Sequence, residues 1–138
     1  MTLEEVLDLL ERDSGRHMTS GPCGRGDLDK LEAGLGHPLP ADLRRFLERV
    51  GGGVFYDAHE LFGARRVMIH DIELLPDMLS VRKALPGVPP DAVPFHRSGS
   101  QVHVIELSER ARITPLGGGS GYADLATFLE SVVLPSAP

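Results

Sequence analysis

The chain has no tryptophan, and its 138 residues include only two tyrosines and five phenylalanines. Leucine, valine and isoleucine must therefore fill the core, and the row of aromatic rings on which single-stranded nucleic acid stacks is missing. Cysteine occurs once, as Cys23, so no internal disulfide can form and a reducing cytoplasm is the expected compartment. No apolar run approaches the roughly 18 residues needed to cross a bilayer. The opening residues, Met1-Thr2-Leu3-Glu4-Glu5, are acidic where a secretion signal is basic. Positive charge is also in deficit: the net charge is −6 and the pI about 5.4. Such a field disfavours nucleic acid and anionic membrane surfaces and steers basic partners inward.

The frames that carry catalysis are absent too. Gly51-Gly52-Gly53 and Gly117-Gly118-Gly119 are not followed by the lysine of a phosphate loop, so both read as turns. Cys23 has no Cys-x-x-Cys partner. Among His17, His37, His59, His70, His96 and His103 no pair has the spacing of two ligands on one helix. The bland reading makes His17, His37 and His59 exposed loop residues and His103 a strand-face residue. Only convergence in the fold could build a metal site from them. Cys23 sits in a Gly/Pro/Arg loop without a defined activating setting, and Ser98-Gly99-Ser100 lacks the Gly-x-Ser-x-Gly frame of a nucleophile elbow. The expectation is no catalytic residue, no metal and no cofactor.

What is present is a well-punctuated run of short elements. Thr2 with Glu5 fits a capping box, and Leu3, Val6, Leu7 and Leu10 form a helical stripe. A polar, glycine-rich loop is expected from Asp13 to Gly26. Leu28, Leu31 and Leu35 follow Asp27 at helical spacing, with Asp27 as the start signal and Gly36 as the stop. Pro40-Ala41-Asp42 opens the next helix, whose apolar face is Leu43, Phe46, Leu47 and Val50. The three glycines end it and release a strand through Val54, Phe55 and Tyr56. Arg65 to Ile69 reads as a second strand, with Asp57 to Gly63 as the connection. Asp71 is placed to cap a helix bearing Ile72, Leu75, Met78 and Leu79. Gln101 to Leu107 is apolar on both faces, which marks a central strand, and Arg112 to Leu116 returns antiparallel to it. A last helix from Asp124 carries Leu125, Phe128, Leu129, Val132 and Val133 on one face. Helices at both ends of a run of hairpin-like strands give an α+β class: one domain, a twisted, mainly antiparallel sheet with helices packed around it.

The order Leu28, Leu31-Glu32, Leu35-Gly36, Leu39-Pro40, Asp42-Leu43, Phe46-Leu47 and a glycine cluster resembles the N-terminal signature of the SUKH superfamily. That superfamily includes bacterial immunity proteins against secreted toxins and a fungal cell-wall regulator. Val93-Pro94-Phe95 is similar to its proline-phenylalanine strand, and Asp124-Leu125 with Phe128-Leu129 to its closing helix. One departure stands out: the family commonly has Asn-Gly-Gly after the second helix, and this chain has Gly51 at the asparagine position. The resemblance makes 1–138 a single SUKH-like domain with 1–26 as an extra N-terminal helix and loop.

It also implies a non-enzymatic protein-binding domain, first of all a cytoplasmic immunity protein neutralising a toxin. A regulatory scaffold module is the alternative, and a small hydrolase or metal-dependent enzyme built from converging histidines is the reading from another class. The shared motifs build core and turns, so contact with a basic toxin domain is expected in the segments between them. Asp57, Glu60, Asp71, Glu73 and Asp77 are the candidate partner-binding residues there. Arg65 and Arg66 in the same segment offset part of that charge. Taken singly, each acid also reads as a solvated surface charge.

Overall fold

In a computed structural model, which describes all residues 1–138, the first start signal is used as the sequence suggests. Thr2 Oγ accepts from the Glu5 amide at 3.2 Å, and the Glu5 carboxylate accepts from the Thr2 amide at 3.0 Å. Helix α1 (Leu3–Arg12) thereby opens on a reciprocal cap and buries Val6, Leu7 and Leu10. Helix α2 begins earlier than the leucine spacing indicates, spanning Arg25–Leu35 with Gly24 as its cap residue. Asp27 is not the cap; it lies in the first turn, where the helix dipole favours a carboxylate. Gly36, at φ +70°, ends α2 in the left-handed conformation. Glu32 then reaches forward, accepting from the Leu39 amide at 2.7 Å and from Arg44 at 3.2 Å, which fixes the entry to α3 (Ala41–Arg49). Arg45 and Arg49 of α3 pair with Glu4, Asp8 and Glu11 of α1, so the first helix is bonded along its polar edge as well as packed.

Eight strands follow in chain order: β1 (His17–Thr19), β2 (Gly53–Phe55), β3 (His59–Leu61), β4 (Val67–Ile69), β5 (Ile72–Leu75), β6 (Ala92–Ser98), β7 (Gln101–Glu106) and β8 (Ile113–Pro115). Six of them make one sheet in the order β1-β2-β3-β6-β7-β8, every neighbour antiparallel, and β4 pairs only with β5. The class is α+β, and β7 is interior to the sheet as its two apolar faces require.

One residue is inserted in β6. Val93 faces Ile105 and Pro94 faces Val104, but His96, not Phe95, faces His103. Phe95 is the extra residue of a bulge, and its ring turns to the helix side, 5.6 Å from Phe46 and 6.1 Å from Phe128. All five phenylalanines are fully buried, so α3 and the C-terminal helix share one core through Phe95.

Three stretches differ from the sequence reading: two hold short strands whose pairing is completed far along the chain, and one holds a hairpin strand where the spacing suggests a helix. The expected loop 13–26 contains β1, which pairs with β2, and Cys23 in it is buried. The expected connection 57–63 contains β3, and His59 is buried in it rather than exposed. The helix expected after Asp71 is strand β5; helix α4 (Met78–Ala84) starts later, and Asp77 caps it through the Ser80 amide at 2.9 Å. At the C-terminus Asp124 caps α5 (Leu125–Phe128) through Thr127 as the sequence indicates. The chain then widens into a π turn, Leu129–Val133, and tightens into a 3-10 turn, Leu134–Ser136. No helix is long and apolar enough to cross a membrane.

Candidate interaction surface

The segment after β3 leaves the core and comes back to the same place. Gly63 packs its backbone on Gly52, where a Cβ on either glycine would come within 3 Å of the other's backbone, and the Gly63 carbonyl accepts from the Met78 amide at 2.9 Å. Between these points stands the β4–β5 hairpin. Val67 and Leu75, paired at its base, are both buried, and the remaining apolar side chains are exposed. His70 and Asp71 form the tip with φ of +48° and +64°. Two consecutive positive values match the twist of a tight hairpin, and Asp tolerates that conformation better than most residues. Ile69 faces Ile72 and Met68 faces Glu73, with a register shift next to Val67.

The result is an apolar surface in water. Met68, Ile69, Ile72 and Leu74 are exposed, Ile72 to 71 %, and the only other exposed large apolar side chains are Met1 and Met18. Single exposed leucines need no explanation, but a cluster on one self-paired hairpin with two open edges is a candidate contact surface. Asp71 and Glu73 lie within it, both exposed. Arg65, which the sequence sets against these acids, points elsewhere: it donates to the carbonyls of Ser20, Gly21 and Pro22 and lies 3.5 Å from Asp27. Arg66 makes no ion pair.

The other three sequence-derived residues are dispersed. Asp77 is the cap of α4 at the foot of the hairpin. Asp57 is exposed in the β2–β3 turn at φ +54°, beside Tyr56, whose hydroxyl donates to Asp13 at 2.8 Å. Glu60 accepts two hydrogen bonds from Arg97, at 2.6 and 3.1 Å, and Arg97 lies over the Phe62 ring at 5.3 Å. That carboxylate is matched inside the protein, and it stands at the middle of a row across five strands: Met18, Val54, Glu60, Arg97, Val102. The apolar outward residues of the hairpin were hidden from sequence reasoning by the helix expected there. The His-Asp tip between two short apolar runs, Val67-Met68-Ile69 and Ile72-Glu73-Leu74-Leu75, was the signal available to find them.

The chemistry-bearing residues weighed in the sequence fall as follows. Burial pushes the Cys23 thiol up, opposite to an activated thiolate, although Arg65 acts in the other direction. His59, His96 and His103 do converge, as a chain of ring-to-ring hydrogen bonds in which His96 uses both nitrogens.

No curated protein matches the chain. A family model does, over residues 22–121, described as the SMI1 / KNR4 family (SUKH-1). The matched range takes in α2, α3, the Gly51–Gly53 turn, the hairpin and all of β2 to β8, and leaves outside it α1 and α5, which pack into the same core, and β1, which pairs with β2. With well over half its length matched, the chain belongs to the SMI1 / KNR4 family (SUKH-1).

Proposed function

We propose that this chain is a non-enzymatic, cytoplasmic immunity protein that neutralises a toxin by binding it at the β4–β5 hairpin. The carrying observation is the concentration of exposed apolar side chains on that hairpin together with Asp71 and Glu73. Apolar centres with a charged surround are how protein interfaces are built, and the unpaired edges of β4 and β5 offer backbone groups for strand addition. The partner that fits is a basic toxin domain. Asp71 and Glu73 meet its cations directly; Asp57, Glu60 and Asp77 contribute to the field from positions where turn geometry, Arg97 and the α4 cap already hold them. Net charge of −6 speeds the encounter. Membership in a family of immunity and regulator-like interaction domains supports the reading.

The test is binding kinetics with a toxin domain encoded beside the gene. Ile72→Asp is expected to raise Kd at least about 30-fold, the effect of losing a central apolar contact of about 2 kcal/mol. Asp71→Lys with Glu73→Lys is expected to slow association at low salt and flatten its salt dependence. Ile72 and Glu73 are exposed, so their substitutions should leave the melting temperature within a degree or two, while Asp71→Lys, at φ +64°, should add a conformational cost of about 1 kcal/mol or less without unfolding the domain. Tight binding that ignores both changes would move the interface off the hairpin. Absence of any toxin binding, with the hairpin still needed to capture another protein, would favour a regulatory scaffold.

A further inference from the structure

Three histidines are the only buried polar or charged residues of the chain, and they touch one another. His59, His96 and His103 stand on the neighbouring strands β3, β6 and β7, on the helix-facing side of the sheet. His96 lies directly opposite His103 because of the bulge at Phe95. His59 Nδ1 is 2.9 Å from His96 Nε2, and His96 Nδ1 is 3.0 Å from His103 Nδ1. The far end of this line is not on the sheet: His59 Nε2 is 2.9 Å from Ser136 Oγ, in the 3-10 turn. The C-terminal helix closes the site, with Phe128 at 5.2 Å from the His96 ring and 5.0 Å from the His103 ring, and Tyr122 edge-on to both His103 and Phe128.

Proton bookkeeping limits what this line can be. Each ring-to-ring contact needs one hydrogen and one bare nitrogen. Three neutral imidazoles meet that demand in either direction along the line, with the Ser136 hydroxyl donating at one polarity and accepting at the other. One extra proton still leaves a bare nitrogen for each contact, but it places a cation among buried rings. Two extra protons leave a single bare nitrogen for two contacts, so N–H faces N–H and one link must break. Nothing nearby compensates. The groups facing the line are the three imidazoles themselves, the Tyr122 and Phe128 rings, Pro115 opposite His103 and the Ser136 hydroxyl. Glu60 and Arg97 are on the opposite face and satisfy each other. No carboxylate acts on any of the rings.

We propose that the His59–His96–His103–Ser136 line is a proton-sensitive latch, holding the C-terminal segment 129–138 on the sheet at neutral pH and letting it go on acidification. The segment meets the line through Ser136, bonded to His59, and its helix is already interrupted by a π turn and a 3-10 turn. Burial holds all three rings below the ordinary histidine range, and His96, burdened also by its two neighbours, falls to about 3. The sign follows. A ring exposed by opening binds protons more readily than a latched one, so the latch is at full strength above about pH 6.5 and weakens as pH falls through that value. Each ring that stays neutral while closed costs the closed form about 30-fold at pH 5, since 1 + 10^1.5 is about 33.

The experiment is amide hydrogen exchange on the full chain from pH 7.5 to 5, corrected for intrinsic rates, with imidazole nitrogen shifts followed by NMR. Protection of residues 129–137 is expected to fall by at least about 30-fold at pH 5, while α1 and α3, which do not touch the rings, keep theirs. His59→Phe should reduce the pH dependence of the segment by one ring's share. Ser136→Ala should loosen the segment at pH 7.5 without changing α3. The proposal is overturned if the segment and α3 lose protection together, if segment protection does not depend on pH, or if the rings titrate near 6.5 with the segment still docked.

Discussion

Gly51 stands where the resemblance places an asparagine, and the fold says what putting that asparagine in would do. At φ +83° the backbone is left-handed, a conformation that asparagine adopts at modest cost, so the C-cap by itself would accept the change. The obstacle is what lies beside it. A Cβ built on Gly51 falls 2.1 Å from the Gly21 carbonyl oxygen and 3.0 Å from Ser20 Oγ. The segment supplying that oxygen is itself pinned, by Ser20 N–H donating to the Gly52 carbonyl at 3.0 Å and Cys23 N–H to the Leu47 carbonyl at 2.9 Å. Gly118 is the control, at φ +101° with nothing within 4 Å of its Cβ. Gly118→Asn should therefore cost only a conformational term of about 1 kcal/mol or less. Gly51→Asn adds an overpacking term of about 1–3 kcal/mol, because backbone must shift. With an unfolding entropy of about 2.1 cal/mol/K per residue, each kcal/mol moves the melting temperature of a chain this long by about 3 °C, so Gly51→Asn should melt about 3–10 °C below Gly118→Asn. Thermal denaturation followed by circular dichroism reads the difference. Equal shifts would show that the loop at Gly21 yields freely and that the close approach is not what selects glycine.

Two further outcomes are expected. Phe46→Ala and Phe128→Ala should each destabilise by about 3–5 kcal/mol in denaturant titrations, because both rings are fully buried in the core joined by Phe95; a change under 1 kcal/mol would contradict that packing. Glu60→Lys should destabilise by about 1–3 kcal/mol, since it sets a cation against Arg97 over Phe62, whereas Glu73→Lys on the hairpin should leave stability within about 0.5 kcal/mol; parity between the two melts would deny the Glu60–Arg97 pair its structural role.

Local signals and distant ones separate cleanly along this chain. Helix ends are written within a few residues, so the Thr2–Glu5 box, the Gly36 stop, Pro40 before α3 and the Asp124 cap were all readable. The three-residue strands β1 and β3 carry too little periodicity to be seen; β1 pairs with β2 from far along the chain, and β3, though it forms a hairpin with β2, is enclosed only when β6 arrives. Between Asp71 and Leu79 two periods compete. Ile72, Leu75, Met78 and Leu79 fit a helix by spacing, and the backbone takes a strand for the first half and a helix for the second, with Asp77 rather than Asp71 at the boundary. The acids of the candidate surface do not form one arrangement in the fold: Glu60 finds Arg97 across the sheet, and only Asp71 and Glu73 share the hairpin with the exposed apolar side chains. The histidine line lies furthest from sequence view, since spacing along the chain says nothing about which rings an antiparallel register with a bulge will stack.

The hydrogen bond from Met78 N–H to the Gly63 carbonyl has a consequence for how this surface can change. It joins the two ends of the 64–77 excursion, so the rest of the fold meets that excursion at one closed neck. Loop-closure entropy grows only slowly with length, and the neck is set by the Gly52–Gly63 contact on one side and the start of α4 on the other. Residues 64–77 thus form a cassette. Its interior demands reduce to two apolar feet, Val67 and Leu75, a strut from Arg65 to the 20–22 carbonyls, and the Asp77 cap of α4. Everything else in it can be rewritten, lengthened or exchanged for another hairpin, retargeting the domain to a different partner while the sheet, the helices and the buried histidines stay as they are.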